Sequence, residues 1–82
     1  MLKLNRKIAV SESGFVFDSS TGDSFSVNPI GIEILELLKA GKTEKEIKNT
    51  LLEEYEVSPA VLEKSISDFI QSLKSLNVLQ DE

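Results

Sequence analysis

The sequence contains no cysteine, no histidine and no tryptophan. Without thiols there are no disulfides and no thiolate metal sites. Without imidazole the commonest acid/base group and a common metal ligand are both missing. Most chemistries open to a small enzyme are thereby excluded, and neither a catalytic set, a metal site nor a cofactor is expected. A cysteine-free chain fits a reducing cytoplasm. Long apolar runs are missing too: the amino-terminal MLKLNRKIAV holds no continuous apolar segment fit for a secretory signal, and nothing downstream approaches a membrane span. A soluble cytoplasmic protein without a membrane partner is expected. Glycine-rich phosphate loops are also absent, since Gly22 and Gly41 read as a turn and a helix stop.

What is present is 82 residues, 40% of them hydrophobic, enough for a single domain over residues 1–82 with one modest core. A large active-site cleft does not fit that size. The formal charge of -5 is unevenly placed: residues 1–28 carry three bases and three acids, residues 29–82 six bases and eleven acids. Nucleic-acid binding rests on neutralising phosphates, so an acidic carboxy-terminal part argues against it.

Residues 7–11 (KIAVS) and 15–18 (FVFD) read as strands joined by the turn Glu12-Ser13-Gly14. A second turn, Ser19 to Asp23, leads into Ser24-Phe25-Ser26-Val27, whose strict alternation is that of a strand with Phe25 and Val27 inward and the serines outward. In the second strand either Val16 or the pair Phe15 and Phe17 takes the core side, and the two Phe are the expected choice. Asn28-Pro29 is a cap followed by a first helical residue. The helix it opens presents Ile30, Ile34, Leu37 and Leu38, has Gly31 on a flank open to close approach, and stops at Gly41. Thr43-Glu44-Lys45-Glu46 is a capping box opening a second helix with Ile47, Leu51, Leu52 and Tyr55 inside. Ser58-Pro59 repeats the cap-plus-proline start for a third helix, whose stripe is Leu62, Ile66, Phe69, Ile70, Leu73 and Leu76. Asn77 ends it, Val78-Leu79 pack back, and Gln80-Asp81-Glu82 form an acidic tail. The fold class is α+β, a three-stranded antiparallel meander followed by three helices, like a winged helix-turn-helix with its wing at the amino terminus.

A meander has two edges, and an exposed edge is a template for another strand unless something blunts it. Lys3, Arg6 and Lys7 protect the first-strand side, whereas Ser24 to Val27 holds no charge and no proline. The third strand is therefore the open edge, and its direct fusion to the first helix holds it rigid for a guest. Backbone pairing alone binds weakly, because each hydrogen bond nets about 0.5–1.5 kcal/mol while association costs at least roughly 4 kcal/mol. Apolar anchors, about 1.5–3 kcal/mol each, must come from a groove beside the edge. Val61, Ser65, Asp68 and Ser72, a flank of mostly small residues on the third helix, can form it; the competing reading is an ordinary solvated helix surface. Glu53, Glu54 and Glu56 read as a solvated acidic face and not as a metal cage, and Tyr55 as a core residue with its hydroxyl at the rim.

Taken in order, Thr21-Gly22, Val27-Asn28-Pro29-Ile30-Gly31 with Ile34 and Leu37-Leu38, Gly41-Lys42-Thr43 with Glu46-Ile47, Tyr55-Glu56-Val57, and Ile66, Phe69, Ile70, Leu73 resemble the pyrroloquinoline quinone biosynthesis protein D (PqqD) family from about Leu4 to Leu79. The resemblance implies a non-catalytic module that captures the leader of a ribosomally made precursor peptide and presents it to a modifying enzyme, often a radical S-adenosylmethionine enzyme. It also implies that the leader adds to the third strand and packs on the third helix. Carried over, Ser24, Phe25, Ser26, Val27 and Asn28 supply the backbone ladder, and Val61, Ser65, Asp68 and Ser72 the side-chain contacts. Two positions depart from the family pattern: Leu35 stands where Trp is frequent, and Ser65 where an acidic residue is frequent. The second lies on the expected groove, so the leader recognised can differ from that of the quinone pathway. The rival reading is a winged-helix DNA-binding or regulatory module, but Glu63, Lys64, Asp68 and Lys74 lack the Arg and Asn readers suited to base edges. A monomer or weak dimer is expected, the latter through self-pairing of the open edge.

Overall fold

The computed structural model describes residues 2–81, Asp81 by its backbone alone. Its elements run β1 (Leu2–Leu4), β2 (Ile8–Val10), β3 (Phe15–Asp18), β4 (Ser24–Ser26), α1 (Pro29–Lys39), α2 (Glu44–Glu54), α3 (Pro59–Ser75) and β5 (Leu79–Asp81). The expected meander is β2-β3-β4, fully antiparallel, and the three helices follow it. A second, two-stranded sheet joins the chain ends, with Leu2 opposite Asp81 and Leu4 opposite Leu79. Gln80 and Asp81 thus belong to a strand instead of a loose tail, and Glu82 lies outside the described residues.

Each helix boundary has a local cause. Asn28 caps α1 by accepting the Gly31 N–H at 2.8 Å, and Pro29 follows it. The helix ends in a Schellman motif, Lys42 N–H to Leu37 O and Gly41 N–H to Leu38 O, both 3.0 Å. The capping box of α2 is complete: Glu46 N–H donates to Thr43 Oγ1 at 3.2 Å and Thr43 N–H to Glu46 Oε1 at 3.0 Å. Ser58 occupies the cap position of α3, yet its side chain makes no capping hydrogen bond, and Pro59 alone marks the start. The end of α3 is a second Schellman motif, with Asn77 at φ 60 and Val78 N–H donating to Leu73 O at 2.8 Å.

The core gathers Ile34, Leu35 and Leu38 of α1, Ile47 and Leu51 of α2, Leu62, Ile66, Ile70 and Leu73 of α3, and Val16, Val78 and Leu79. The expectation for β3 is corrected. Val16 is fully buried, while Phe15 and Phe17 are 46% and 38% exposed. Register decides this: Val16 lies opposite Val10 and Phe25 on the inner face, and Phe15 and Phe17 lie opposite Ser26 and Ser24 on the outer one. Of the helix-stripe residues, Leu37, Leu52, Tyr55 and Phe69 are partly buried against this core, and two are exposed. Ile30, in the first turn of α1, is 37% exposed, and Leu76, already the C-cap of α3, is 54% exposed. Lys3 belongs to β1 and Arg6 to the β1–β2 connection, so of the three expected edge guards only Lys7 adjoins β2.

Gly14 is buried at φ +88, and a Cβ there would stand 2.6 Å from Val27 O and 2.8 Å from Ile32 Cδ1. Gly22, at φ +81, has nothing within 4 Å of such an atom. Gly14→Ala is therefore expected to lower the unfolding free energy by about 2–4 kcal/mol, from left-handed backbone plus a clash with main chain. Gly22→Ala should cost only about 1 kcal/mol. Equal losses in urea titrations would refute the difference.

Two carboxylates are held below their ordinary range. Glu46 is lowered chiefly by the Thr43 N–H it accepts, and Asp18 chiefly by the Ser20 hydroxyl at 2.6 Å, then by the Ser20 N–H at 2.8 Å. Folded pKa values below the unfolded ones contribute stability that is present at neutral pH and lost as pH falls through the folded values. Glu46→Gln keeps a capping-box acceptor but cannot titrate, so its melting temperature should fall less steeply than that of the native chain below about pH 4. Parallel curves would show that the box contributes nothing to acid sensitivity.

Candidate functional site

Among the described residues, β4 is an edge strand of the meander. Its backbone polarity follows from two hydrogen bonds to the β3 side, Asp18 N–H to Asp23 O at 2.9 Å and Val27 N–H to Gly14 O at 2.8 Å. By the two-residue period of an antiparallel ladder, residues 23, 25 and 27 turn their N–H and C=O groups toward β3. Ser24 and Ser26 turn theirs toward the unpaired side. Of the five residues expected to form a ladder, these two offer outward backbone groups. Phe25 and Val27 place half-buried side chains against the core, and the Asn28 side chain is engaged as the α1 cap.

Next to the end of this strand lies a concavity of about 290 Å³ between α1 and α3, lined by Asn28, Ile30, Gly31, Ile34, Leu62, Ser65, Ile66 and Phe69. The link between strand and concavity is tight, because a Cβ on Gly31 would lie 3.1 Å from Val27 Cβ and 3.3 Å from Phe69 Cζ. Two other concavities, about 390 Å³ below β1 and about 400 Å³ between α2 and α3, are larger. Neither is lined by Asn28, which joins β4 to α1, and Lys48 Nζ meets Glu63 Oε2 at 3.0 Å among the lining residues of the second.

Of the four α3 residues expected to make contacts, Ser65 lines the concavity beside β4. Val61 is 61% exposed. Asp68 receives Lys64 Nζ at 3.2 Å, and the Ser72 hydroxyl donates to Asp68 O at 3.0 Å. Six further lining residues, Ile30, Gly31, Ile34, Leu62, Ile66 and Phe69, fall by periodicity in the core or on its flank. Among them Ile30 is exposed and Phe69 only partly buried, so these two form open apolar walls of the slot.

Tyr55 sits at the rim, its hydroxyl donating to Glu33 Oε1 at 2.8 Å, a bond that raises the phenol pKa. A hydrogen bond with Glu33 likewise raises Glu54. This cluster joins α1 to the end of α2, and neither Glu33, Glu54 nor Tyr55 lines the concavity beside β4. Among the described residues no group of three or more carboxylates is placed to hold a metal ion, and no helix is long and apolar enough to cross a membrane.

The site is thus an open strand edge that ends at an apolar slot. The profile of the coenzyme PQQ synthesis protein D (PqqD) family matches residues 14–79. The chain belongs to the PqqD family. The match begins at Gly14, so β1 and β2 lie outside it while β3, β4 and all three helices lie within. Two solved structures share the fold. One is TbiB1 in complex with the TbiA(beta) leader peptide, at TM-score 0.89 and 25% identity over 98% of this chain and 96% of that one. The other is lasso peptide synthetase B1 complexed with the leader peptide, at TM-score 0.88 and 24% identity over 98% of both chains. Comparison with curated protein sequences gives no match.

Within this PqqD-family chain the cap at Asn28 sets the angle between β4 and α1, and Ser58 has no comparable bond. Asn28→Ala is expected to cost about 1 kcal/mol of stability, whereas Ser58→Ala should stay within about 0.5 kcal/mol. Matched denaturant titrations of the two variants decide it; an equal loss would remove the cap from the account of the junction.

Proposed function

We propose that this PqqD-family chain captures the leader segment of a ribosomally made precursor peptide as an added strand on β4 and presents it to a peptide-modifying enzyme, of the radical S-adenosylmethionine or another class. It acts in the cytoplasm as a carrier and not as a catalyst. The observation that carries this reading is the pairing of outward backbone groups at Ser24 and Ser26 with the apolar slot beside them. The likeness to two chains solved with leader peptides supports it.

The energetics fit a two-part site. Four outward backbone groups supply about 2–6 kcal/mol, which roughly offsets an association cost of at least about 4 kcal/mol. One or two apolar leader side chains in the slot, at about 1.5–3 kcal/mol each, carry the affinity beyond that. A nucleic-acid role draws no support from α3, where Lys64 is paired with Asp68 and Glu63 with Lys48 of α2.

The test uses the full chain and a synthetic leader of the precursor peptide found bound to it after affinity capture from native lysate. Ser26→Pro removes an N–H that faces away from β3 and leaves the β3 ladder intact, so the fold should persist. Ser65→Arg fills the slot from an exposed position. Each variant should keep its circular dichroism spectrum and weaken leader binding about tenfold or more, equivalent to about 1.4 kcal/mol. Unchanged affinity in both would overturn the proposed site.

A further inference from the structure

The outer face of the meander carries the two aromatic rings that sequence reasoning placed inside. Phe15 and Phe17 are two of the four phenylalanines in the chain, and they stand 46% and 38% exposed. Register fixes their neighbours on the side of the open edge: Phe15 is opposite Ser26 and Phe17 opposite Ser24. The outer face therefore has an aromatic row on β3, a lane of two serines on β4, and then the unpaired edge. Above the serines there is no bulk. The patch is small, and what singles it out is its place: two apolar rings on one face, one strand in from the unpaired edge, where polar residues would serve the fold equally well.

A strand added to β4 lies about 4.8 Å beyond the serines, and alternate residues of it point to this outer face. The rings lie two strand spacings away, about 9.6 Å, farther than a diagonal pair on adjacent strands, so contact needs a long apolar side chain leaning across the serine lane to meet a ring leaning toward it. A short or charged side chain gains nothing there. Resting on the leader-binding reading, we propose that Phe15 and Phe17 form a second recognition surface for the same guest. Two outward leader side chains of leucine, methionine or aromatic type, at positions i and i+2, close over the serine lane onto the rings. The guest is then gripped on both faces of the sheet, by the α1–α3 slot inside and by the aromatic row outside.

Size favours a peptide over a second copy of the chain. Taking about 200 Å² for a whole aromatic side chain, the two rings leave roughly 170 Å² open. A stable dimer needs about 600–800 Å² from each partner. A few leader side chains cover the smaller area completely.

The experiment is a selection from a displayed library of random short peptides, run in parallel on the native chain, on Ser26→Pro and on the double variant Phe15→Thr with Phe17→Thr. Threonine keeps strand propensity on an exposed face, so the double variant should fold, and circular dichroism checks that it does. Peptides that bind the native chain but not Ser26→Pro should be apolar at positions of both parities. On the double variant, apolar enrichment should vanish at one parity and persist at the other. Native-selected peptides should bind the double variant about tenfold more weakly. An unchanged sequence profile on the double variant overturns the aromatic surface while leaving the β4 site standing. Absence of any Ser26→Pro-sensitive peptide overturns the leader-binding reading itself, and the aromatic proposal with it. Self-association that the double substitution abolishes, with the profile unchanged, assigns the rings to a second copy and also overturns the proposal.

Discussion

The hydrogen bond from Val27 N–H to Gly14 O, 2.8 Å long, is the constraint on which the rest of the structure hangs. It is the last rung between β4 and the turn before β3, and the next residue, Asn28, is already the cap of α1. Two glycines face Val27 at this point, and at both the space for a Cβ is taken by it: its carbonyl lies 2.6 Å from such an atom on Gly14, and its Cβ 3.1 Å from one on Gly31. The strand can therefore pass into the helix without a linker. Because Phe69 of α3 also reaches Gly31, the same point fixes the third helix relative to the strand. Edge and slot are thereby held in register, and on the proposed reading this lowers the ordering cost of binding.

Local signals made much of this legible. Caps, the capping box and helix stops depend on residues a few positions apart, and each lies where Asn28, Thr43, Gly41 and Asn77 indicate. The β1–β5 pairing was not legible, because it joins residues at opposite ends of the chain and no short-range pattern encodes it. Nor was the orientation of β3. In FVFD both parities are apolar, so the hydrophobic pattern supports either face, and only pairing with the alternating Ser24-Phe25-Ser26 resolves it. At the candidate site, Ser65 and the β4 edge could be read, since a small residue on an apolar helix and an uncharged strand stand out. Ile30 and Phe69 could not, because a slot wall and a core residue share one helical period.

The chain ends contribute in a different way. Pairing β1 with β5 places Lys3 on the second sheet, away from the meander, while β1 packs on α1 and β5 on α3. The termini thus brace the two helices that form the walls of the slot. The meander keeps two unpaired sides, one adjoined by Lys7 and the other formed by the uncharged β4. Neither strand carries a charge of its own, since Ile8–Val10 is flanked by Lys7 and Ser24–Ser26 by Asp23, and what separates the two sides is the apolar slot that adjoins the end of β4.

An uncharged edge is also a hazard, and its length limits that hazard. With the outward groups of Ser24 and Ser26, two copies meeting edge to edge form about four hydrogen bonds, worth about 2–6 kcal/mol. That is close to the association cost of at least about 4 kcal/mol, and such pairing by itself leaves both apolar slots empty. A guest that brings side chains for the slot gains what a second copy lacks. The three-residue strand is long enough to set the register of a peptide and short enough that backbone pairing alone does not hold a dimer. Selectivity between guest and self then rests on side chains and not on the ladder.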